Sequence, residues 1–317
     1  MLTSHDVGHR VSVRRLVEGG RTDVLGHLLD VTADRLEVLA RGAVVALAAS
    51  DVTAAKVVPA ATPRRGWEVP HLSAAEMQRI CWAGWPAREH ELLGDWVRRA
   101  HGGITGRANS TLAVGDPGVP VDEALALTSY WYADRGLPPL VQLPLVEPSN
   151  AALEDAGWRR QHVTVVQVAP VAAVLAQMAP RADLRAVVEP VPGSDWCALM
   201  HDLDPDTAGH LAILTGPPMV GFATLYRGDE PVGIGRISVE GAWCGVTSVD
   251  VAPTARRQRI GSAVMASLLG WAQRRGASSS YLQVRSLNAA ALRLYDALGY
   301  VTHHPYGYRA PETDPLG

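Results

Sequence analysis

"SVDVAPTARRQRIGSAVMASLLGW", residues 248–271, joins an alternating apolar run to a helical one through a turn that carries three arginines. Pro253 ends regular strand pairing, because proline has no N–H to give to a ladder. Beyond the turn, Ile260, Val264, Leu268 and Trp271 recur at the spacing of a helix with one buried face. The first N–H groups of such a helix have no intrahelical partner. The aligned peptide dipoles add a partial positive charge there, worth roughly 0.3–2 kcal/mol to a nearby anion. Gly261, Ser262 and Ala263 are small enough for a phosphate to reach the backbone, and Arg256, Arg257 and Arg259 surround them. The junction therefore reads as a pyrophosphate cradle.

The charge around it is lopsided. From Val251 to Tyr295 there is no Asp or Glu, yet Arg256, Arg257, Arg259, Arg274, Arg275, Arg285 and Arg293 fall in that span. The 317-residue chain as a whole carries a formal net charge of -3, with 19% charged and 47% hydrophobic residues. That balance is ordinary for a globular protein and lacks the overall basicity of a nucleic-acid binder. An anionic ligand held at one site fits better. Cys81, Cys197 and Cys244 are far apart and form no metal spacing, so free thiols and no bound metal are expected. No apolar run reaches the roughly 18 residues that span a bilayer, and the polar start "MLTSHDVGHR" holds no signal segment. A cytoplasmic protein without a membrane partner is the expectation. Lys56 is the only lysine, an arginine-for-lysine usage that suits a GC-rich bacterial genome.

The periodicities divide the chain into three parts. Residues 1–62 alternate in five short runs, which predicts a small all-β barrel of the Sm-like sort. The Pro-rich stretch 59–66 reads as a linker. Residues 67–178 mix helices and strands, opening with a capping-box helix at Ser73 and Glu76. Residues 184–317 begin with a polar, helix-like stretch. Three strands, the cradle, a helix, the strand "SYLQV", a helix from Asn288 and a last strand near Tyr306 follow. The two larger parts repeat one order: strand, turn, helix ending in Arg-Gly, strand with a central Gln, Asn-Ala-Ala helix, Gly-aromatic. The fold class is thus α/β (α+β), with two mixed-sheet halves behind the barrel and a cleft expected between them.

No G-x-x-x-x-G-K-[ST] and no early G-x-G-x-x-G competes for phosphate. The turn Gln258-Arg-Ile-Gly261-Ser-Ala263 instead resembles the acetyl-CoA loop of the GNAT acetyltransferase superfamily, Q/R-x-x-G-x-G/A. "SVDVAP" before it, Asn288 after it and "LYDALGY" at 294–300 come in that family's order. The resemblance covers about residues 185–310. It implies a tandem GNAT-like fold with one active half, acetyl-CoA as cofactor, and transfer of the acetyl group to an amine. It implies that Arg259, Ile260, Gly261, Ser262 and Ala263 donate N–H groups to the pyrophosphate, with Gln258 supporting the loop. Val249 and Val251 would pair with the pantetheine, Asn288 would touch it, and Tyr295 would serve as general acid to the departing thiolate. A core tyrosine on a helix face is the alternative for Tyr295.

The acceptor amine must lose a proton before it attacks, since an alkylammonium with pKa near 10.4 is only about one part in a thousand neutral at pH 7. Asp250, Glu240 or a water chain are the candidate bases. Cys244, a lone thiol, is not expected to carry the acyl group. Arg107 and Asn109 in "GGITGRANS" are candidate substrate contacts, and an arginine there could bind a carboxylate bidentately; Tyr226 and Trp243 are candidates too, with core packing as the equal alternative. His303 and His304, adjacent in a strand, are expected on opposite faces, unable to share a metal. In the first half, "GDPGVPVDEA" places Asp116, Asp122 and Glu123 where the second half has arginines, so that half is expected to have lost the cofactor. The layout also resembles actinobacterial GNAT proteins labelled histone acetyltransferase-like or N-acetylglutamate synthase-like. Those labels disagree about substrate, which leaves a small-molecule or peptide amine. A non-catalytic acyl-CoA sensor that contacts a partner protein through the barrel is the second reading. A nucleic-acid adaptor fits poorly with the barrel's mixed charge.

Overall fold

A computed structural model describes residues 2–59, 70–200 and 207–312. Most of the expected linker, from residue 60 on, lies outside them. The N-terminal unit holds β1 (Arg10–Val17), β2 (Gly20–Val31), β3 (Arg35–Ala40), β4 (Ala43–Ala48) and β5 (Val52–Val57). They form one antiparallel sheet in the order β4-β3-β2-β1-β5. Alternate residues point inward, so Val11, Val13, Leu28, Val38 and Leu47 make its core. A bulge between Leu28 and Asp30 bends the long β2, and the sheet curls into a small barrel-like unit.

The body follows, beginning with α1 (Ala74–Ala83), where Ser73 and Glu76 close the capping box. Then come β6 (Glu89–Leu93), β7 (Trp96–Ala100), β8 (Thr111–Leu112), α2 (Val121–Ala133), β9 (Val141–Pro144), α3 (Ser149–Asp155) and β10 (Trp158–Pro170). Next are α4 (Val171–Leu175), β11 (Arg185–Glu189), α5 (Ser194–Leu199), α6 (Thr207–Thr215), β12 (Val220–Arg227), β13 (Glu230–Glu240) and β14 (Trp243–Val251). The chain closes with α7 (Ile260–Gln273), β15 (Ser279–Arg285), α8 (Ala289–Ala297) and β16 (Val301–Pro311). The stretch expected to open the last part as polar and helix-like begins instead with the edge strand β11 and becomes helical at α5 and α6. The β11 backbone completes the ladder of β12 from Arg185↔Tyr226 to Glu189↔Phe222.

All eleven strands of the body form one sheet, in the order β11-β12-β13-β14-β15-β10-β16-β9-β8-β7-β6. The two halves are interlocked. β10, last strand of the first half, lies between β15 and β16, while β16, last strand of the second, lies between β10 and β9. Each half therefore completes the other. On one face α4, α7 and α8 pack over Ile237, Val246 and Leu282. On the other, α1 covers Val166, Val168 and Tyr281, and α5 and α6 cover Phe222 and Ile234.

The barrel docks on this body. Leu29 and Leu39 share a core with Leu145 and Leu292. Arg160 donates to Leu29 O at 2.8 Å and pairs with Asp30 at 2.6 Å. Gly8, at φ +91°, lies so near that a Cβ would sit 2.8 Å from Val146.

The same region corrects the expectation for His303 and His304. A register shift in β16 between Val166↔His304 and Gln167↔Thr302 bulges the strand there. The two imidazoles meet, with Nδ1 of each 2.7 Å apart. One set of neutral tautomers satisfies the whole chain of bonds. Arg99 donates to Gln142 Oε1 (2.9 Å), and Gln142 Nε2 donates to Gln78 Oε1 (2.8 Å). Gln78 Nε2 then donates to His304 Nε2 (3.0 Å), His304 Nδ1 to His303 Nδ1, and His303 Nε2 to Leu72 O (3.1 Å).

Candidate active site

β14 and β15 run parallel in register only from Trp243↔Ser279 to Val246↔Leu282, and no pairing continues beyond. Past that point β14 is pulled away by a bulge opposite β13, between Arg236↔Thr247 and Ile234↔Asp250, where Ser248 takes φ +52°. The strands splay and leave a cleft of about 410 Å³. Its floor is Thr247 to Asp250 on one side and Gln283 and Arg285 on the other. The remaining wall comes from the first half, with Trp85, Arg107 and His162, from the exchanged strand, with Tyr306 and Tyr308, and from Met200 and His210.

The turn Arg256–Arg259 leads from β14 into α7. Arg257 and Arg259 both sit in the left-handed region, at φ +59° and +60°. Such turns aim successive N–H groups at one point, an anion-binding concavity. Arg259 is the N-cap of α7 and offers no side-chain cap. The first helical bond here is Ala263 N–H onto Arg259 O at 3.2 Å. Among the described residues the N–H groups of Arg259, Ile260, Gly261 and Ser262 meet no protein acceptor. Gln258 braces the turn from within, donating to Thr254 O at 3.0 Å. Arg256 donates to Val251 O at 3.3 Å, and the Val251 N–H is held by Asp250 Oδ1 at 2.8 Å. Gly261 lies close under α8, where a Cβ would stand 3.1 Å from Leu294.

Asn288 caps α8, accepting from Ala291 N–H at 3.1 Å. Tyr295, on the same helix, is 8% exposed and packs edge-on against Tyr300 at 5.9 Å. Burial pushes its phenol up to about 12, so it stays a proton donor at any working pH. It does not line the cleft.

The substrate candidates separate. Arg107 reaches the cleft with its guanidinium 5.1 Å from the Trp85 ring, and its buried Nε has no partner among the described residues. Val249 and Asp250 reach it too. Asn109 does not: its Oδ1 accepts from the His101 and Gly103 N–H groups, and its Nδ2 donates to Ile104 O and Thr105 O. A primary amide can do no more, so Asn109 clasps the loop that presents Arg107. Glu240 and Trp243 face each other at the opposite end of β13 and β14. At roughly 3.3 Å per residue they lie on the order of 20 Å from Asp250. Trp243 packs there with Met77, Cys81 and Tyr281. Tyr226 sits at the sheet edge, its hydroxyl bonded to Asp195 at 2.9 Å and its ring under Arg185. These three are corrections to the sequence reading, since strand alternation tells which face a residue takes but not which end of the strand the cleft adjoins.

The sequence reading missed Arg236. It is fully buried beneath the cleft and donates to Leu214 O, Gly84 O and Thr247 Oγ1. Burial pulls its guanidinium down to about 9. Its signal was present, a lone arginine inside the apolar run "PVGIGRISV". At the junction of the first half, backbone donors are taken up internally. Gly115 N–H donates to Glu147 at 3.2 Å, Asp116 N–H to Asp95 at 3.0 Å and Gly118 N–H to Asp116 at 2.8 Å. The chain's own carboxylates occupy the donors a phosphate would need. Among the described residues no cluster of His, Cys, Asp and Glu is arranged to hold a metal, and no helix is long and apolar enough to cross a membrane.

A splayed parallel strand pair, a bulge on one strand and an open-donor turn at its mouth are the architecture of a GNAT N-acetyltransferase. Residues 75–309 match the family described as "Probable histone acetyltransferase Rv0428c C-terminal", and the chain belongs to that family. It is 27% identical over 326 aligned positions to the probable histone acetyltransferase Rv0428c of Mycobacterium tuberculosis, covering 97% of this chain and 96% of that one. It is 26% identical to the uncharacterized N-acetyltransferase YobR of Bacillus subtilis over 240 positions, 73% of this chain and 96% of that one. In fold it is similar to a GCN5-related N-acetyltransferase from Kribbella flavida, with TM-score 0.57 and 19% identity over 77% of this chain and 97% of that chain. The protein is a GNAT-family N-acetyltransferase.

Proposed function

We propose that the enzyme moves an acetyl group from acetyl-CoA to a primary amine by direct attack in a ternary complex. An amino-acid-like small molecule is the favoured acceptor, ahead of a protein lysine. The observation that carries this is the row of N–H groups from Arg259 to Ser262, without a partner among the described residues, opening beside a cleft that holds Arg107, whose Nε likewise has none among them. The turn takes the pyrophosphate. The exposed edge of β14 at Val249 takes the pantetheine arm, and Asn288 flanks it. Arg107 binds a carboxylate of the acceptor, where a charged hydrogen bond in a half-buried wall is worth roughly 1.5–3 kcal/mol. Asp250, already in the cleft, or water ordered there receives the amine's proton, and Tyr295, which stands behind the cleft lining, is proposed as donor to the leaving thiolate on the family resemblance alone. When bound, acetyl-CoA supplies the activated thioester.

In this reading residues 1–62 are the barrel, 67–178 the half without cofactor and 184–317 the acetyl-CoA half, and the reaction runs in a bacterial cytoplasm. An acetyl-transfer screen over amino acids, polyamines and basic peptides, following release of the free CoA thiol, tests it. Turnover on a carboxylate-bearing amine supports the proposal. CoA binding without turnover on any amine would leave an acyl-CoA sensor instead, and absence of thermal protection by acetyl-CoA would remove the cofactor assignment.

A further inference from the structure

The geometry points to Arg181, in the connection between the two halves, as a positioning residue for the pyrophosphate turn. The inference rests on the assignment of that turn to acetyl-CoA. Arg181 donates through Nη1 to the carbonyl oxygen of Gln258 at 2.9 Å. Its other two donors, Nε and Nη2, lie at 2.7 Å from the two oxygens of Asp183. The guanidinium is thus fixed as a fork before any ligand arrives. Arg227 stands 4.0 Å from the same carboxylate, and Leu184 and Met178 anchor the segment in the core beneath α7.

Peptide planarity turns this remote contact into control of the cradle. In a trans peptide the carbonyl of one residue and the N–H of the next point in opposite directions. No cis bond occurs among the described residues. Holding Gln258 O outward against Arg181 therefore aims the Arg259 N–H the other way, alongside those of Ile260 and Gly261. The turn needs such a hold. Arg257 and Arg259 are non-glycine residues in the left-handed region, a conformation they leave unless neighbours enforce it. Gln258 and Arg256 brace the turn from inside it. Arg181 braces it from another part of the chain.

The test is binding of three ligands by calorimetry: acetyl-CoA, dephospho-CoA, which keeps the pyrophosphate but lacks the ribose phosphate, and S-acetylpantetheine, which has neither. Arg181→Ala should raise Kd about tenfold for the first two, equivalent to about 1.4 kcal/mol, and leave S-acetylpantetheine unchanged. Arg181→Lys, which retains one donor for Gln258 O, should recover part of the loss. Asp183→Asn, which loosens the fork without removing the arginine, should give a smaller rise in the same two ligands. An unchanged Kd for acetyl-CoA in Arg181→Ala overturns the inference. So does a loss seen with acetyl-CoA but not dephospho-CoA, which would put Arg181 on the ribose phosphate. An equal loss with S-acetylpantetheine also overturns it, because that would mark a general disturbance of the fold. If the wild-type protein binds S-acetylpantetheine as well as acetyl-CoA, the pyrophosphate assignment itself fails.

Discussion

Acid should act first on the seam between the barrel and the body. His27 of β2 is held near 4, by burial first and then by Arg10, His303 and His9. Burial also lowers His303 and His304, and His304 lies well below its ordinary value, with His303 and His27 adding to the effect. His71 contributes further positive charge beside His303. Asp30, the carboxylate of this seam, is engaged with Arg160. All three folded-state values lie below the unfolded value of 6.5, so the native protein keeps these imidazoles neutral and the unfolded chain binds more protons. Their contribution is complete above about pH 6.5 and is lost as pH falls toward the folded values, near 4 for His27. For His27 alone the shift corresponds to about 3 kcal/mol.

The bond pattern sharpens this. With Nδ1 of His303 and His304 at 2.7 Å, one proton lies between them. Protonating His303 would set two N–H groups against each other. His27 should lower the unfolding free energy by up to about 1.4 kcal/mol per pH unit between roughly pH 6 and 4, and His303 and His304 should steepen the fall. Urea unfolding followed by tryptophan fluorescence at half-unit steps measures the slope. His27→Gln should lower it by one proton, because one group no longer titrates. A wild-type slope near zero from about pH 6 to 5, or the same slope in His27→Gln, would refute the reasoning. Carboxylates dominate only below that window, so the upper half of it is diagnostic.

Four further outcomes are expected. Arg107→Gln should raise the KM of a carboxylate-bearing acceptor by roughly 10- to 100-fold and leave the KM for acetyl-CoA unchanged, read from initial rates with each substrate varied. Tyr295→Phe should lower kcat by about a hundredfold with little change in Tm, and equal rates would return Tyr295 to a packing role. Its phenol, raised by burial from 10 to about 12, makes a contribution that is full below pH 10 and lost as pH climbs toward 12. Tyr281, Tyr300 and Tyr306 are raised by burial as well, so circular dichroism should show steep alkaline unfolding above about pH 10. Gly245→Ala should cost about 1–3 kcal/mol, measured by urea melting, since any Cβ there collides with the Tyr281 ring packed across β14.

What the sequence disclosed was local. The strand–turn–helix junction was legible because a strand end, a small-residue turn and a helical stripe are contiguous at 248–271. The barrel strands were legible because alternation needs only a few residues. The partnership of β10 with β15 was not, since its two strands are more than a hundred residues apart and no periodicity records which edges meet. The same blindness misplaced Glu240 and Trp243, whose faces could be read but not their distance from the splay. Asn109 looked like a ligand contact because its type is polar, and only the loop's own backbone shows where its four bonds go. The histidine pair was misread because a single bulge reverses the alternation rule.

The exchange of β10 and β16 makes the first half part of the cleft's own structure. The cleft cannot be built from the second half alone. Its parallel neighbour β15 is flanked by β10, and Tyr306 and Tyr308 reach the cleft from β16, which is held in place by β10 and β9. Trp85 and Arg107 arrive from the first half, and Arg236 ties the Gly84 carbonyl to Thr247 at the bulge. At the first junction Asp95, Asp116 and Glu147 take up backbone donors internally, while the strands and loop around it help to build the cleft. In the proposed reading the first half supplies much of the acceptor's wall and the second supplies the donor's cradle. Substitutions in residues 67–178 should accordingly change acceptor kinetics, and substitutions around Arg259 should change donor kinetics, within one continuous sheet.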